Sequence, residues 1–303
     1  MATFLFRRLL QSIPVFIGII LICFALLKLA GDPTNVLVSP RASEAERARV
    51  RENLGLNRPW YAQLGQYFKG DLGSSYREHR PVRDMVMESA TVTIRIAFAA
   101  TVLAVTLGLL SGLLSAYRPR TIVDYSSAVA SSLGVSIPAF FLAMMLQLVF
   151  AIKLKWLPIP RPDASWKFLI IPVATLGLLN TAMLARLTRN CMLSELSENY
   201  IRTARSKGRG PLRTMIGHAF PNILVQVITV VGTDLASLLG GAVLTEFACN
   251  IPGLGTLIMS AIKNRDHPVI VGACLFFAFT FVAINLLVDL LYGVLDPRIR
   301  HHE

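Results

Sequence analysis

Charge is scarce in this sequence. Asp, Glu, Lys and Arg make up 16% of 303 residues, where a soluble domain of ordinary composition has about 25%. That shortage excludes most soluble folds, and a hydrophobic fraction of 54% excludes intrinsic disorder, because so apolar a chain cannot stay solvated as a coil. Acids are the scarcer sign, 18 against 30 Lys+Arg, for a formal charge of +12. A nucleic-acid binder would gather that excess on a polar face, which does not fit a mean hydropathy of +0.57. Cysteine is sparse too: Cys23, Cys191, Cys249 and Cys274 stand far apart with no C-x-x-C pair. They read as small apolar packing residues rather than metal ligands or disulfides. His79, His218, His267, His301 and His302 fall outside the long apolar runs, so no histidine is placed to act within a membrane. No G-x-x-x-x-G-K followed by Ser or Thr occurs, so the chain has no phosphate-cradling loop of its own. No Ser and His pair within the apolar runs would serve a protease, and no filter-like loop or ring of acids suggests a channel.

What the chain does have is long apolar runs, and a membrane helix needs about 20 such residues. Six are found, from about Leu9 to Leu29, Thr91 to Tyr117, Tyr125 to Ile152, Phe168 to Leu187, Ile223 to Glu246 and Pro268 to Leu295. The first follows Arg7 and Arg8, is too long for a signal-peptide core and lacks an A-x-A-like cleavage site. It reads as a retained anchor, with Lys28 able to snorkel to the interface. Gly108 and Gly112 form a small-xxx-small face on the second run, and Pro138 and Pro172 are expected to interrupt the third and fourth. The expected fold is all-α, a polytopic membrane protein with six transmembrane helices and a small helical external loop domain. Its plan is an N-terminal anchor at 1–30, the external loop at 31–90 and a five-helix core at 91–303.

The long loop carries nine basic and eight acidic residues and is built to fold. Ser43 precedes early acids Glu44 and Glu46 and later bases Arg47, Arg49 and Arg51, with Gly55 to end the helix. A second short helix is expected from about Trp60 to Phe68, after Pro59. Counting bases in the other loops gives thirteen on the side of the termini against six on the opposite side, which places both termini inside.

The segment from Thr188 to Asn222 is the densest in features. A helix beginning near Ser197 ends at Gly208, with Arg205 and Lys207 in its last turn, and a second helical stretch starts at Pro211 and runs towards the fifth span. The product is a helix-turn-helix elbow on the inner membrane face. A basic loop held on anionic lipid heads has the same composition. A docking element for a cytosolic partner is the sharper reading. Within the elbow, Tyr200, Arg202, Thr203, Ala204, Arg205, Lys207 and Gly208, with His218 ten residues after the glycine, resemble the coupling-loop motif of ABC transporter permeases, in the dipeptide, oligopeptide and nickel importer branch. Other stretches resemble that branch as well: Arg7-Arg8-Leu9-Leu10 with Pro14, Gly31-Asp32-Pro33, Leu54 to Pro59, Gly70-Asp71-Leu72-Gly73, Thr245-Glu246-Phe247 with Pro252-Gly253-Leu254-Gly255, and Leu295 to Arg300. Ile251 departs from the branch, which commonly shows Trp there, and Gly210-Pro211 gives a stiffer turn than usual.

The resemblance implies one permease subunit that binds no cofactor itself. It implies two ATPase subunits carrying ATP and Mg, a second homologous permease, an external solute-binding protein and alternating access driven by ATPase closure on the elbow. Dipeptides, oligopeptides, glutathione-like compounds and nickel chelates are handled within the branch, and peptides are the commonest case. A proton-coupled secondary transporter is the alternative, and it would need internal repeats and an embedded relay. No convincing repeat is present, and the deepest acid, Asp234, stands alone. Asp234, with Gly240 and Gly241 later in the same span, is the candidate for the translocation path. A residue hydrogen-bonded to a neighbouring helix is the competing reading for Asp234. The +12 then has its largest single share in the elbow loop, not in a nucleic-acid footprint.

Overall fold

The structure, a computed structural model, describes residues 2–29, 34, 38, 43–53, 57, 59, 62, 65, 70–159 and 165–295. In chain order it forms α1 (Ala2–Leu29), α2 (Glu44–Asn53), α3 (Val82–Tyr117), α4 (Ile122–Ser136), α5 (Ala139–Leu146) and a π-helical stretch, Gln147–Lys153. Next come α6 (Trp166–Glu195), α7 (Asn199–Ser206), α8 (Pro211–Thr214), a second π-helical stretch (Met215–Ala219) and α9 (Phe220–Gly241). The last are α10 (Val243–Ala248), α11 (Leu254–Asn264) and α12 (His267–Leu295). An isolated bridge between Ser74 and Pro81 is the one extended pairing among the described residues. The chain is an all-α polytopic membrane protein.

Among the described residues, four helical runs are long and apolar enough to cross a bilayer: α3, α6, Pro211–Leu239 and His267–Leu291. The expected third span is not one rod. Ile122–Gly134 and Ala139–Lys153 meet at 104°, because Ile137, which precedes Pro138, is held extended at φ −95 and ψ 124. Pro172 does not interrupt its span as expected; it lies buried inside an unbroken α6, where neighbouring groups can satisfy the freed carbonyl. In α1 the apolar stretch among the described residues is Ile13–Ile22, within a continuous 28-residue helix. The short helix expected over Trp60–Phe68 falls almost wholly outside the described residues, as do Gly31-Asp32-Pro33, most of Leu54–Pro59 and Asp296 to Arg300.

By packing the chain divides into two units, Ala2–Thr93 with Pro252–Val282, and Ile94–Ile251 with Ala283–Glu303. In the first, Ser43 caps α2 as expected, its Oγ accepting from the Glu46 amide at 3.3 Å. Helix α3 begins at Val82, nine residues before the apolar run, and its 36 residues reach about 54 Å, well beyond a hydrocarbon core of about 30 Å. The extra turns are amphipathic: Val82, Met85, Val86 and Ala90 are buried with Leu254, Ala261, Val269 and Ala273, while Arg83, Asp84 and Glu88 stay exposed or nearly so. Helix α11 completes this core, in a stretch where the sequence pattern marks no span. Asp266, 4% exposed, ties the unit together by accepting from the Ser75 hydroxyl at 2.5 Å and the Tyr76 amide at 3.1 Å.

In the second unit α3 packs on α6 through the small-residue face. A Cβ on Gly108 would stand 2.9 Å from Leu184 Cβ, and one on Gly112 would stand 2.7 Å from the Ala185 carbonyl oxygen. Similarly, Gly232 on α9 faces Val288 on α12, with a Cβ there only 2.1 Å from Val288 Cγ2. Gln147, at the start of the first π-helical stretch, donates to the Ala248 carbonyl at 3.3 Å. Because backbone at Ala185 cannot yield as a side chain can, Gly112→Ala is expected to cost about 1–3 kcal/mol and lower the thermal midpoint of the purified protein. Gly217→Ala, with nothing within 4 Å, should leave it unchanged; equal midpoints for the two variants would refute the close approach.

Candidate functional site

The segment that turns between α6 and α9 is held from beneath by one side chain. Helix α7 is eight residues long, too short to persist by itself, and it is otherwise polar. Its only large aliphatic residue, Ile201, is 0% exposed and belongs to one buried cluster with Ala116, Leu184, Met192, Met215, Ala219, Ile223 and Val227. These come from α3, α6 and the run into α9, so α7 is plugged into the helix bundle. With Ile201 inward, Arg202, Thr203, Arg205 and Lys207 are exposed and Ala204 is half-buried.

A second fastening is polar. The Tyr200 hydroxyl donates to Glu195 Oε1, and Asn222 Nδ2 donates to the same oxygen at 2.9 Å and to the Tyr200 oxygen at 2.8 Å. This triangle joins the last residue of α6, the start of α7 and the first turn of α9. Burial first, and then the bond to the Glu195 carboxylate, push the Tyr200 phenol up to about 12, because an ionised phenol beside that carboxylate is unfavourable.

The helix expected from Ser197 to Gly208 is realised as Asn199–Ser206, with Lys207 at its C-cap. Gly208 has φ +82 and its amide donates to the Arg205 carbonyl at 2.9 Å. A side chain there would meet nothing within 4 Å, so the glycine serves the left-handed backbone rather than a tight contact. Pro211 then opens α8 at an allowed first-turn position. His218 lies half-buried in the π-helical stretch Met215–Ala219. Arg209 and Arg213 extend the exposed bases beyond Lys207, and Leu212 and Ile216 are 49% and 53% exposed beside them. The result is a firmly seated basic elbow with an apolar edge.

Tyr200 to Gly208 are thus contiguous on the elbow. Asp234 is elsewhere, fourteen residues beyond Phe220, or about 21 Å along the helix. It is half-buried and makes no hydrogen bond or ion pair among the described residues. Gly240 and Gly241 close the same helix, and their surroundings lie outside the described residues. Sequence reasoning assigned no role to Ile201, Glu195 or Asn222. Ile201 was detectable as the one aliphatic side chain in a polar run; the Glu195–Asn222 contact spans 27 residues and has no local pattern.

With this geometry established, the likenesses to known proteins become informative. The model of the family described as binding-protein-dependent transport system inner membrane component matches residues 85–301. The chain is 39% identical to the dipeptide transport system permease protein of Alkalihalophilus pseudofirmus, over 99% of this chain and 100% of that one. It is 37% identical to the glutathione transport system permease protein of Escherichia coli, again over 99% and 100%. In fold it is similar to a chain of the inward-facing methionine ABC transporter, at a TM-score of 0.57 and 18% identity, over 71% of this chain and 98% of that one.

A phenol raised in the folded state keeps its full stabilising effect below its unfolded value near 10 and loses it as pH rises from there towards 12. Tyr200→Phe is therefore expected to unfold at a lower temperature than the wild type by a margin that is constant between pH 6 and about 9 and shrinks above about 10. Thermal melts across that range read the margin, and no difference at any pH would remove the hydrogen-bonded triangle from the account.

Proposed function

The chain belongs to the family of binding-protein-dependent transport system inner membrane components, and from that premise we propose that it conducts peptides or similar small solutes inward by alternating access, with the elbow as its input from the ATPases. It is a multi-pass membrane transport subunit, and ATP hydrolysis is supplied by separate subunits. In the proposed assembly it pairs with a second homologous permease, and an external binding protein delivers the solute. Two ATPases carrying ATP and Mg bind from the side of the elbow, which is cytoplasmic along with both termini. Peptides are favoured as cargo by full-length similarity to a dipeptide permease at 39% identity.

The observation that carries this reading is the seating of the elbow. An input element must be exposed enough to be gripped and stiff enough not to absorb the stroke. Arg202, Thr203, Arg205 and Lys207 are exposed, while Ile201 and the Tyr200–Glu195–Asn222 triangle fix α7 to both α6 and α9. A push on α7 is therefore passed to two spans together. His218, in the π-helical stretch leading into α9, is part of the same input, and movement of α9 carries Asp234, Gly240 and Gly241. We place Asp234 on the solute path, where a carboxylate favours cargo with a free ammonium group or a cation.

Charge reversal at Arg205 and Lys207 is expected to reduce uptake at least tenfold in reconstituted vesicles while the separate ATPases still hydrolyse ATP. Gly208→Val is expected to do the same by straining a φ +82 position. Unchanged uptake and unchanged solute-stimulated ATPase activity in both variants would exclude the elbow as the input. For the path, Asp234→Asn is expected to weaken uptake of peptides with a free amino terminus several-fold relative to N-acetylated ones. Identical preference in variant and wild type rules Asp234 out.

A further inference from the structure

A polar cavity of about 300 Å³ opens beside the elbow end of α6, between that helix and the first turns of α4. The Asp124 carboxylate at its inner wall is already satisfied. It accepts from Arg189 Nε at 2.5 Å and Nη2 at 2.8 Å, from the Ser115 hydroxyl, and from the Arg120 amide at 2.9 Å. With Arg189 neutralised in this way, the remaining charge on the cavity belongs to Arg186. Among the described residues it makes a single 3.3 Å contact, from Nη2 to the Ser132 hydroxyl, which leaves most of its five donors available. Ser127, Ser131, Ser132 and Asn190 supply further polar lining. Ser131 is 3% exposed and makes no hydrogen bond among the described residues.

Arg186, Arg189 and Asn190 lie in the last turns of α6, near Glu195, and Asp124 lies in the first turn of α4. The same two helices expose apolar side chains next to these groups: Val129, between Ser127 and Ser131, is 59% exposed, Leu133, next to Ser132, 60%, and Met183, one turn before Arg186, 50%. A cationic, hydroxyl-rich recess at the membrane end, flanked by exposed apolar side chains, matches an amphiphile with an anionic head and hydrocarbon tails. We propose that the cavity is a headgroup site for an anionic phospholipid, its phosphate held by the Arg186 guanidinium and the hydroxyls of Ser127, Ser131 and Ser132, with its acyl chains along Val129, Leu133 and Met183. The site needs only that the chain spans a bilayer, and it is independent of which solute is carried.

Native mass spectrometry of the assembled transporter in detergent, supplied with phosphatidylglycerol or with zwitterionic phosphatidylethanolamine, tests this. The wild type is expected to hold one phosphatidylglycerol about tenfold more tightly than Arg186→Gln does, with no such difference for phosphatidylethanolamine. Arg186→Lys should retain most of the affinity. If Arg186→Gln does not assemble, the Ser131→Ala, Ser132→Ala double variant reads the same site and should lose several-fold. Three results would overturn the proposal: equal phosphatidylglycerol binding in wild type and variants, displacement of the lipid by millimolar inorganic phosphate, which would make this a free-anion site, or efficient cross-linking of a cysteine at Ser132 to the second permease, which would make it a protein interface.

Discussion

Helices α3 and α6 approach closely because Gly108 and Gly112 carry no Cβ, and the elbow depends on that approach. Leu184, which meets α3 at Gly108, belongs to the same buried apolar cluster as Ile201, together with Ala116 from the end of α3. Push the two helices apart and that cluster opens. In a bilayer there is little hydrophobic drive for helices to associate, since lipid tails are as apolar as leucine, so tight van der Waals packing at small residues has to supply it. The same rule operates where Gly232 meets Val288. The core that steadies the elbow is thus built from absences of side chain as much as from apolar bulk.

Stiffness at the elbow comes from combining unlike interactions. Ile201 is buried without direction, and a greasy plug by itself would let α7 rotate. The triangle of Tyr200, Glu195 and Asn222 is directional and fixes the rotation. On the outward face the exposed bases remain free to meet a partner, and their excess accounts for a large part of the chain's +12. Charge and apolar packing, which compete in the overall composition, are separated here onto opposite sides of an eight-residue helix.

Much of this was legible in the sequence, and the misses have physical causes. Apolar runs revealed the spans, and Ser43, Gly208 and Pro211 marked the ends of helices because capping and backbone strain are local. Hydropathy did not show that α3 starts at Val82, because its first turns are amphipathic rather than apolar; the spacing of Val82, Met85, Val86 and Ala90 carried that signal. Helix α11 was hidden for a similar reason: at 11 residues it is too short to register as a span, although Leu254, Leu257, Ile258 and Ala261 share one face. The two prolines looked alike and behaved differently. Pro138 follows an extended Ile137, whereas Pro172 sits in the buried first half of α6. Contacts between distant positions, such as Ser75 with Asp266 and Asp124 with Arg189, had no local trace.

The π-helical stretch Met215–Ala219 has a bearing on how the family's lengths can drift. A wider turn takes in an extra residue without ending the helix, so removing one residue there would still leave a rod able to cross the membrane. Returned to α geometry, that turn absorbs the deletion, and the side chains beyond it keep their facing. Gly232 would stay against Val288. A one-residue deletion further along α9 would instead turn every later side chain by about 100°, so the π-helical turn is where the spacing between the elbow and α9 can change in length without changing in angle.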